Sequence, residues 1–377
     1  EDLTTRLKDK ILLERMTDKF LHYTEQFFQQ LDHAREKETF LTISRSFVRI
    51  IPELIRRDHY PEVLRILETF KRHFHQKMMW SLIAGQVIEE IGGGSIPVLL
   101  EERFLTGRKE VRNAILPVFI SLEIGAIPHL LSILKKSADQ WVRKNACEAL
   151  IEIGPVAAIH LLKALELQQA SNETTGDILR VLGEIKSEEW KAPLAKILDR
   201  YVSHEHPKLR AQALHTLCQI EGPGAEGAFL KALSDPIVEV RKRAVWCLGM
   251  IKSAQGMERM IDFLEQASSS SEEDPVETQI YHALGLSGNM RIKGRTIEEI
   301  VLGVLEKRGI KQWWNPFQKN LLHESSMGAI CDTLGKIGTV GSLKVLSQLA
   351  KVRDVSWAPK AREALERIEE RKNLLRS

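Results

Sequence analysis

No run of eighteen uncharged apolar residues occurs anywhere in this chain, no CxxC pair occurs, and the first residue is not Met. Each absence excludes something. Without the apolar run, no segment reads as a membrane-spanning helix. Four cysteines without CxxC spacing fit a reducing compartment and argue against both a disulfide framework and a cysteine zinc site. A cytoplasmic location is therefore expected. The start, Glu1-Asp2-Leu3-Thr4, is charged and unlike a signal peptide, so an internal cut from a longer parent chain or a processed end is expected. An excess of one charge is also missing. The formal net charge is +3, too near neutral for bulk attraction to nucleic acid or an anionic membrane. At 43% hydrophobic residues the chain is neither disordered nor collagen-like. Its 377 residues suit two or three ordinary domains or one long array.

What is there is a repeat. Taking Arg143 and Arg241 as anchors, further copies align at Ser81, Arg112, Thr175, Arg210, Glu277, Met327 and Ala358, with a weaker one at Arg45. The commonest spacing is 31 residues. Three after the anchor stand Ala84, Ile115, Ala146, Ile178, Ala213, Ala244, Ile280, Ile330 and Ala361. Seven after it stand Ile88, Phe119, Leu150, Leu182, Leu217, Leu248, Leu284, Leu334 and Leu365. Ten after it the residue is apolar in every copy except at Ser287. Offsets of 3, 7 and 10 return to one face of a helix with 3.6 residues per turn. Each copy therefore reads as a helical hairpin whose second helix carries these columns. Gly154, Gly222 and Gly338 fall just past helix ends, where left-handed residues are expected. One hairpin cannot bury both faces, but a stack can.

Asp139, Val142-Arg143, Ala146, Ala149-Leu150 and Ile153-Gly154, with Asp235-Pro236, Val240-Arg241, Ala244, Leu248-Gly249 and Ile251, resemble the HEAT-repeat family in its short bacterial form. The resemblance runs from about residue 43 to residue 368 and implies stacked helices with binding as the default role. The expected fold is all-α: a right-handed α-solenoid of about nine to ten HEAT-like hairpins over residues 39–377. Residues 1–38 are expected to form an N-terminal helical cap or a junction helix. Loop insertions are expected near 266–275, which is Ser-rich and acidic, and near 307–320.

No catalytic signature rises from the sequence. Gly92-Gly93-Gly94 matches neither phosphate-binding pattern, and HExxH is absent. The pairs His204-Glu205 and His323-Glu324 resemble those of di-iron HEAT-type hydroxylases but precede the anchor instead of following it, and four pairs would be needed. His59, His73 and His75 read as part of a basic surface stretch. No cofactor and no metal are expected.

Offset five points away from the buried columns. That ridge reads Gln86, Pro117, Glu148, Arg180, His215, Trp246, His282, Asp332 and Glu363, too acidic for nucleic acid. It offers instead a protein-binding surface: Arg180, His215, Trp246 and His282 in successive copies, about 10 Å apart, flanked by Met250 and Tyr281. A structural alternative lays Trp246 flat on its neighbouring helix. Trp313, Trp314 and Phe317 form a second aromatic cluster, either a local plug or an interface anchor. The expected function is a non-catalytic scaffold holding an unknown protein partner, or a domain of its own parent chain, on the concave face. The alternative is a HEAT-type enzyme, bilin lyase-type or nucleic-acid-processing.

Overall fold

The computed structural model describes residues 3–167, 170–185, 188–266, 275–308, 322–352 and 355–374. The chain divides into two compact units, Glu1–Glu188 and Glu189–Ser377. Among the described residues both are built almost wholly of α-helices, as the 3.6-residue periodicity requires.

The first unit holds α1 (Leu3–His22), α2 (Thr24–Asp32), α3 (Lys37–Arg56), α4 (Tyr60–His75), α5 (Ser81–Gly93), α6 (Ser95–Thr106), α7 (Lys109–Leu122), α8 (Ile127–Lys136), α9 (Gln140–Ile153), α10 (Pro155–Glu166) and α11 (Asn172–Glu184). Four hairpins stack: α3 with α4, α6 with α7, α8 with α9, and α10 with α11. Helices α4, α7, α9 and α11 form one layer. Helices α1 and α2 pack on α3, where Phe20, Phe28 and Phe47 meet with ring centroids 5.2–6.0 Å apart.

The second unit holds α12 (Lys191–Tyr201), α13 (Pro207–Ile220), α14 (Glu226–Ala232), α15 (Val238–Met250), α16 (Ala254–Gln266), α17 (Pro275–Ser287), α18 (Ile297–Arg308), α19 (Glu324–Ile337), α20 (Val340–Leu349) and α21 (Ala358–Leu374). Its five hairpins place α13, α15, α17, α19 and α21 in one layer. The short antiparallel strands β1 (Arg291–Ile292) and β2 (Arg295–Thr296) precede α18. Lys293 and Gly294 both take positive φ between them, the geometry of a two-residue hairpin turn. Lys293 and Arg295 tie this hairpin to Asp262 and Glu265 of α16, each at 2.7 Å.

The repeat columns match the core closely. All nine residues of the third column are at most 2% exposed. In the seventh column only Ile88 and Leu365 are partly exposed. Ser287, the polar exception, is buried with its hydroxyl donating to the Leu284 carbonyl at 2.6 Å, so no polar group is left unpaired there. At Gly249 an added Cβ would stand 2.8 Å from Ala283 Cβ, which marks the close approach of α15 and α17.

Two expectations need correction. Helix α4, not α5, is the layer neighbour of α7, so the copy anchored at Ser81 is an extra helix packed against α4 and α6. Gly154 and Gly222 do have left-handed φ, but Gly338 is extended at φ −64. Gly338 is needed for space: a Cβ there would collide with the Leu334 carbonyl.

The anchor arginines explain why the motif recurs. Arg210 donates Nη1 to the carbonyls of His204 and Glu205, both at 2.9 Å, closing the turn that leads into α13. Arg241 does the same with Asp235 and Pro236 at 2.8 and 3.1 Å. Arg112 and Arg143 reach onward to carboxylates of the next hairpin, Asp139 at 3.4 Å and Asp177 at 2.7 Å.

Candidate functional site

The outward face of the layer helices carries aromatic groups in both units, on α9 in the first and on α13 and α15 in the second. In the second unit α13 presents His215 and α15 presents Trp246. Their ring centroids are 5.0 Å apart and the planes are inclined by 44°. Arg243, one turn before Trp246, sets its guanidinium 5.5 Å from the Trp246 ring and its Nη1 3.2 Å from His215 Nδ1. Burial, reinforced by the Arg243 charge, lowers the His215 pKa below the usual histidine range. A neutral His215 then accepts the Arg243 hydrogen bond, and the three side chains form one stack. Trp246 is consequently half-buried, between full exposure and the flat structural packing.

Met250 stands 48% exposed, one further turn along α15. His282 follows on α17, half-buried, its pKa lowered chiefly by burial. Tyr281 must be removed from this surface. It is fully buried, and its hydroxyl donates to Glu277 Oε1 at 3.0 Å. Its position four after the anchor turns the ring into the core. Arg180 belongs to the first unit, where its Nη2 donates to Asp177 Oδ1 at 3.1 Å. Trp313, Trp314 and Phe317, and most of the Ser-rich stretch 266–275, lie outside the described residues.

The first unit contains a residue that the ridge at offset five omits. Asp139 Oδ1 accepts the Trp141 and Val142 amides at 2.8 and 3.4 Å, so α9 starts there. Val142 and Arg143 turn inward and Trp141 outward, 65% exposed. Lys144 Nζ lies 5.4 Å from its ring centroid. Trp141 flanks a groove of about 510 Å³ between α7 and α9, lined also by Lys109, Arg112, Asn113, Asn145 and Glu148. Trp141 precedes Glu148 by seven residues, so extending the ridge one heptad toward the N-terminus would have found it.

The residues weighed for chemistry have structural partners. His204 Nδ1 accepts the His206 amide at 3.0 Å, and His323 Nδ1 accepts the Ser325 amide at 3.3 Å at the start of α19. His73 is buried, with Nε2 2.7 Å from Asp32 Oδ1. Among the described residues no three His, Cys, Asp or Glu side chains are grouped to hold a metal ion.

A family model of HEAT repeats matches residues 127–201 and 194–285, so this stretch, from α8 to α17, is made of HEAT repeats. No curated relative matches the sequence. Among solved structures, an engineered protein is 14% identical over 92% of this chain and 98% of its own, with a TM-score of 0.34. Importin beta is 11% identical with a TM-score of 0.40, and the aligned region covers 96% of this chain and 53% of importin beta.

Proposed function

We propose that this chain is a non-catalytic scaffold whose HEAT repeats hold a protein partner, or a domain of the parent chain, on the outward face of the layer helices, α7, α9 and α11 of the first unit or α13, α15 and α17 of the second. The observation that carries this reading is Trp141. An indole left two-thirds exposed beside a groove, with a lysine over its face, is a large apolar surface that a partner can bury. Trp246, His215, Met250 and His282 give the second unit an aromatic face of its own, and Arg180 belongs to the ridge of the first. Aromatic residues surrounded by polar groups are where binding energy concentrates in protein interfaces. The ordered partners of His204, His323 and His73 speak for structural roles over catalytic ones.

The test is affinity capture with immobilised wild type, Trp141→Ala and Trp246→Ala, with captured proteins quantified by mass spectrometry. Truncating an interface Trp costs about 2 kcal/mol or more, roughly thirtyfold in affinity. Proteins enriched on the wild type should therefore be depleted on Trp141→Ala, while its circular dichroism should match that of the wild type. Equal capture by all three would remove this face from the function.

A further inference from the structure

Two of the four cysteines meet where α13 crosses α15. Cys247 is buried, and its Sγ donates to the Leu214 carbonyl of α13 at 3.5 Å. Cys218, one turn beyond Leu214 and only partly buried, points its Sγ back at the Cys247 carbonyl of α15, 4.0 Å away. Each thiol thus lies against the other helix, which brings both sulfurs to the same crossing. Arg243 of the His215–Trp246 stack places its positive charge close enough to act on both sulfurs. The other cysteines have no such arrangement. Cys147 and Cys331 are buried singly on α9 and α19, their thiols pushed up to about 12 by burial.

We propose that Cys218 is a peroxide-reactive thiol and that Cys247 resolves it, giving a Cys218–Cys247 disulfide that ties α13 to α15 beneath the Trp246 stack. The interaction with Cys247, opposed by burial and assisted by Arg243, holds the Cys218 thiol below the usual range, while burial raises Cys247. The accessible thiol of the pair is therefore the one that ionises first, and the thiolate is the nucleophile. The oxidant is a hydroperoxide. The Cys218 sulfur attacks the outer peroxide oxygen, the O–O bond breaks, and the departing alkoxide takes the proton released by the Cys218 thiol. Cys218 becomes a sulfenic acid. The Cys247 sulfur then attacks the Cys218 sulfur, and hydroxide leaves with the Cys247 proton as water. Two thiols lose two electrons, and the peroxide becomes one alcohol, or water from hydrogen peroxide, plus one water.

This inference is independent of what binds the outward face. It is tested by exposing the folded protein to hydrogen peroxide, blocking free thiols with iodoacetamide, and mapping tryptic peptides by mass spectrometry. The expected major product joins peptides 211–231 and 244–252 with the loss of two hydrogens, while Cys147 and Cys331 remain alkylated. Cys218→Ser should abolish the product. Cys247→Ser should stop at a Cys218 sulfenic acid that dimedone traps. The proposal is overturned if the folded wild type gives no joined peptide, or gives it only when oxidised in urea. Because the wild type alone decides this, a variant that fails to fold leaves the test intact.

Discussion

Arg210 grips Asp235 with two parallel hydrogen bonds, Nε to Oδ2 and Nη2 to Oδ1, both at 2.8 Å, across the boundary between consecutive hairpins. The same carboxylate accepts the Ile237 amide at 2.9 Å, at the start of α15. With each side chain only 12% exposed, one contact closes a turn, starts a helix and joins two repeats. This planar two-point pairing requires arginine.

Asp235→Asn should therefore destabilise the second unit by about 1–3 kcal/mol in urea unfolding at pH 7. Burial alone would raise the Asp235 pKa, but Arg210 and the Ile237 amide bring it below the ordinary carboxylate value. A carboxylate depressed in the folded state stabilises fully above its unfolded pKa, near 4. That contribution is lost as pH falls through the lower folded value. Unfolding midpoints at pH 7 and pH 3 should show a smaller acid loss in Asp235→Asn than in the wild type.

The columns also separate positions by cost. Leu248 is fully buried, so Leu248→Ala should cost about 2–5 kcal/mol through lost transfer energy and a residual cavity. Ile88 holds the same column on α5 but is only partly buried, so Ile88→Ala should cost clearly less. Equal losses in urea titrations would show that α5 is a true layer helix after all.

Gly249→Ala isolates helix approach from hydrophobicity. The new methyl would meet Ala283 Cβ and Cα at 2.8 and 2.9 Å, a backbone contact that no side-chain rotation relieves. Overpacking of this kind costs about 1–3 kcal/mol. A thermal melt should fall for Gly249→Ala, and Ala283→Gly in the same chain should recover part of it.

The core was legible in sequence because burial follows helical periodicity. The misreadings have local causes. Helix α5 copies the column pattern, yet its neighbours α3 and α4 already form a complete hairpin, so tertiary stacking overrides the match. Tyr281 was placed beside His282 by adjacency, but one residue turns a helix side chain by about 100° and moved this ring into the core. Trp141 falls between the motif positions Asp139 and Val142, and only its heptad relation to Glu148 places it on the exposed ridge. The strands β1 and β2 are two residues each, too short for a period to register.

The two tryptophans should part company in stability. Trp141 is 65% exposed, so Trp141→Ala should shift the melting temperature hardly at all. Trp246 stacks on His215 and holds Arg243 over its ring, contacts worth about 0.5–1.5 kcal/mol for the ring pair and about 0.5–1 for the cation. Trp246→Ala should cost at least their sum. The stack also carries a pH signature opposite in origin to that of Asp235. His215 has its pKa lowered by burial and by Arg243, so below its unfolded value, near 6.5, the unfolded chain binds the extra proton first. Stability then falls as pH drops through 6.5 and stops falling once the folded His215 also protonates. Protonation puts a second cation against Arg243 and removes the acceptor for its hydrogen bond. His215→Gln should flatten the stability profile between pH 7 and 5, and an unchanged slope would mean that His215 binds its proton equally well in the folded and unfolded chain.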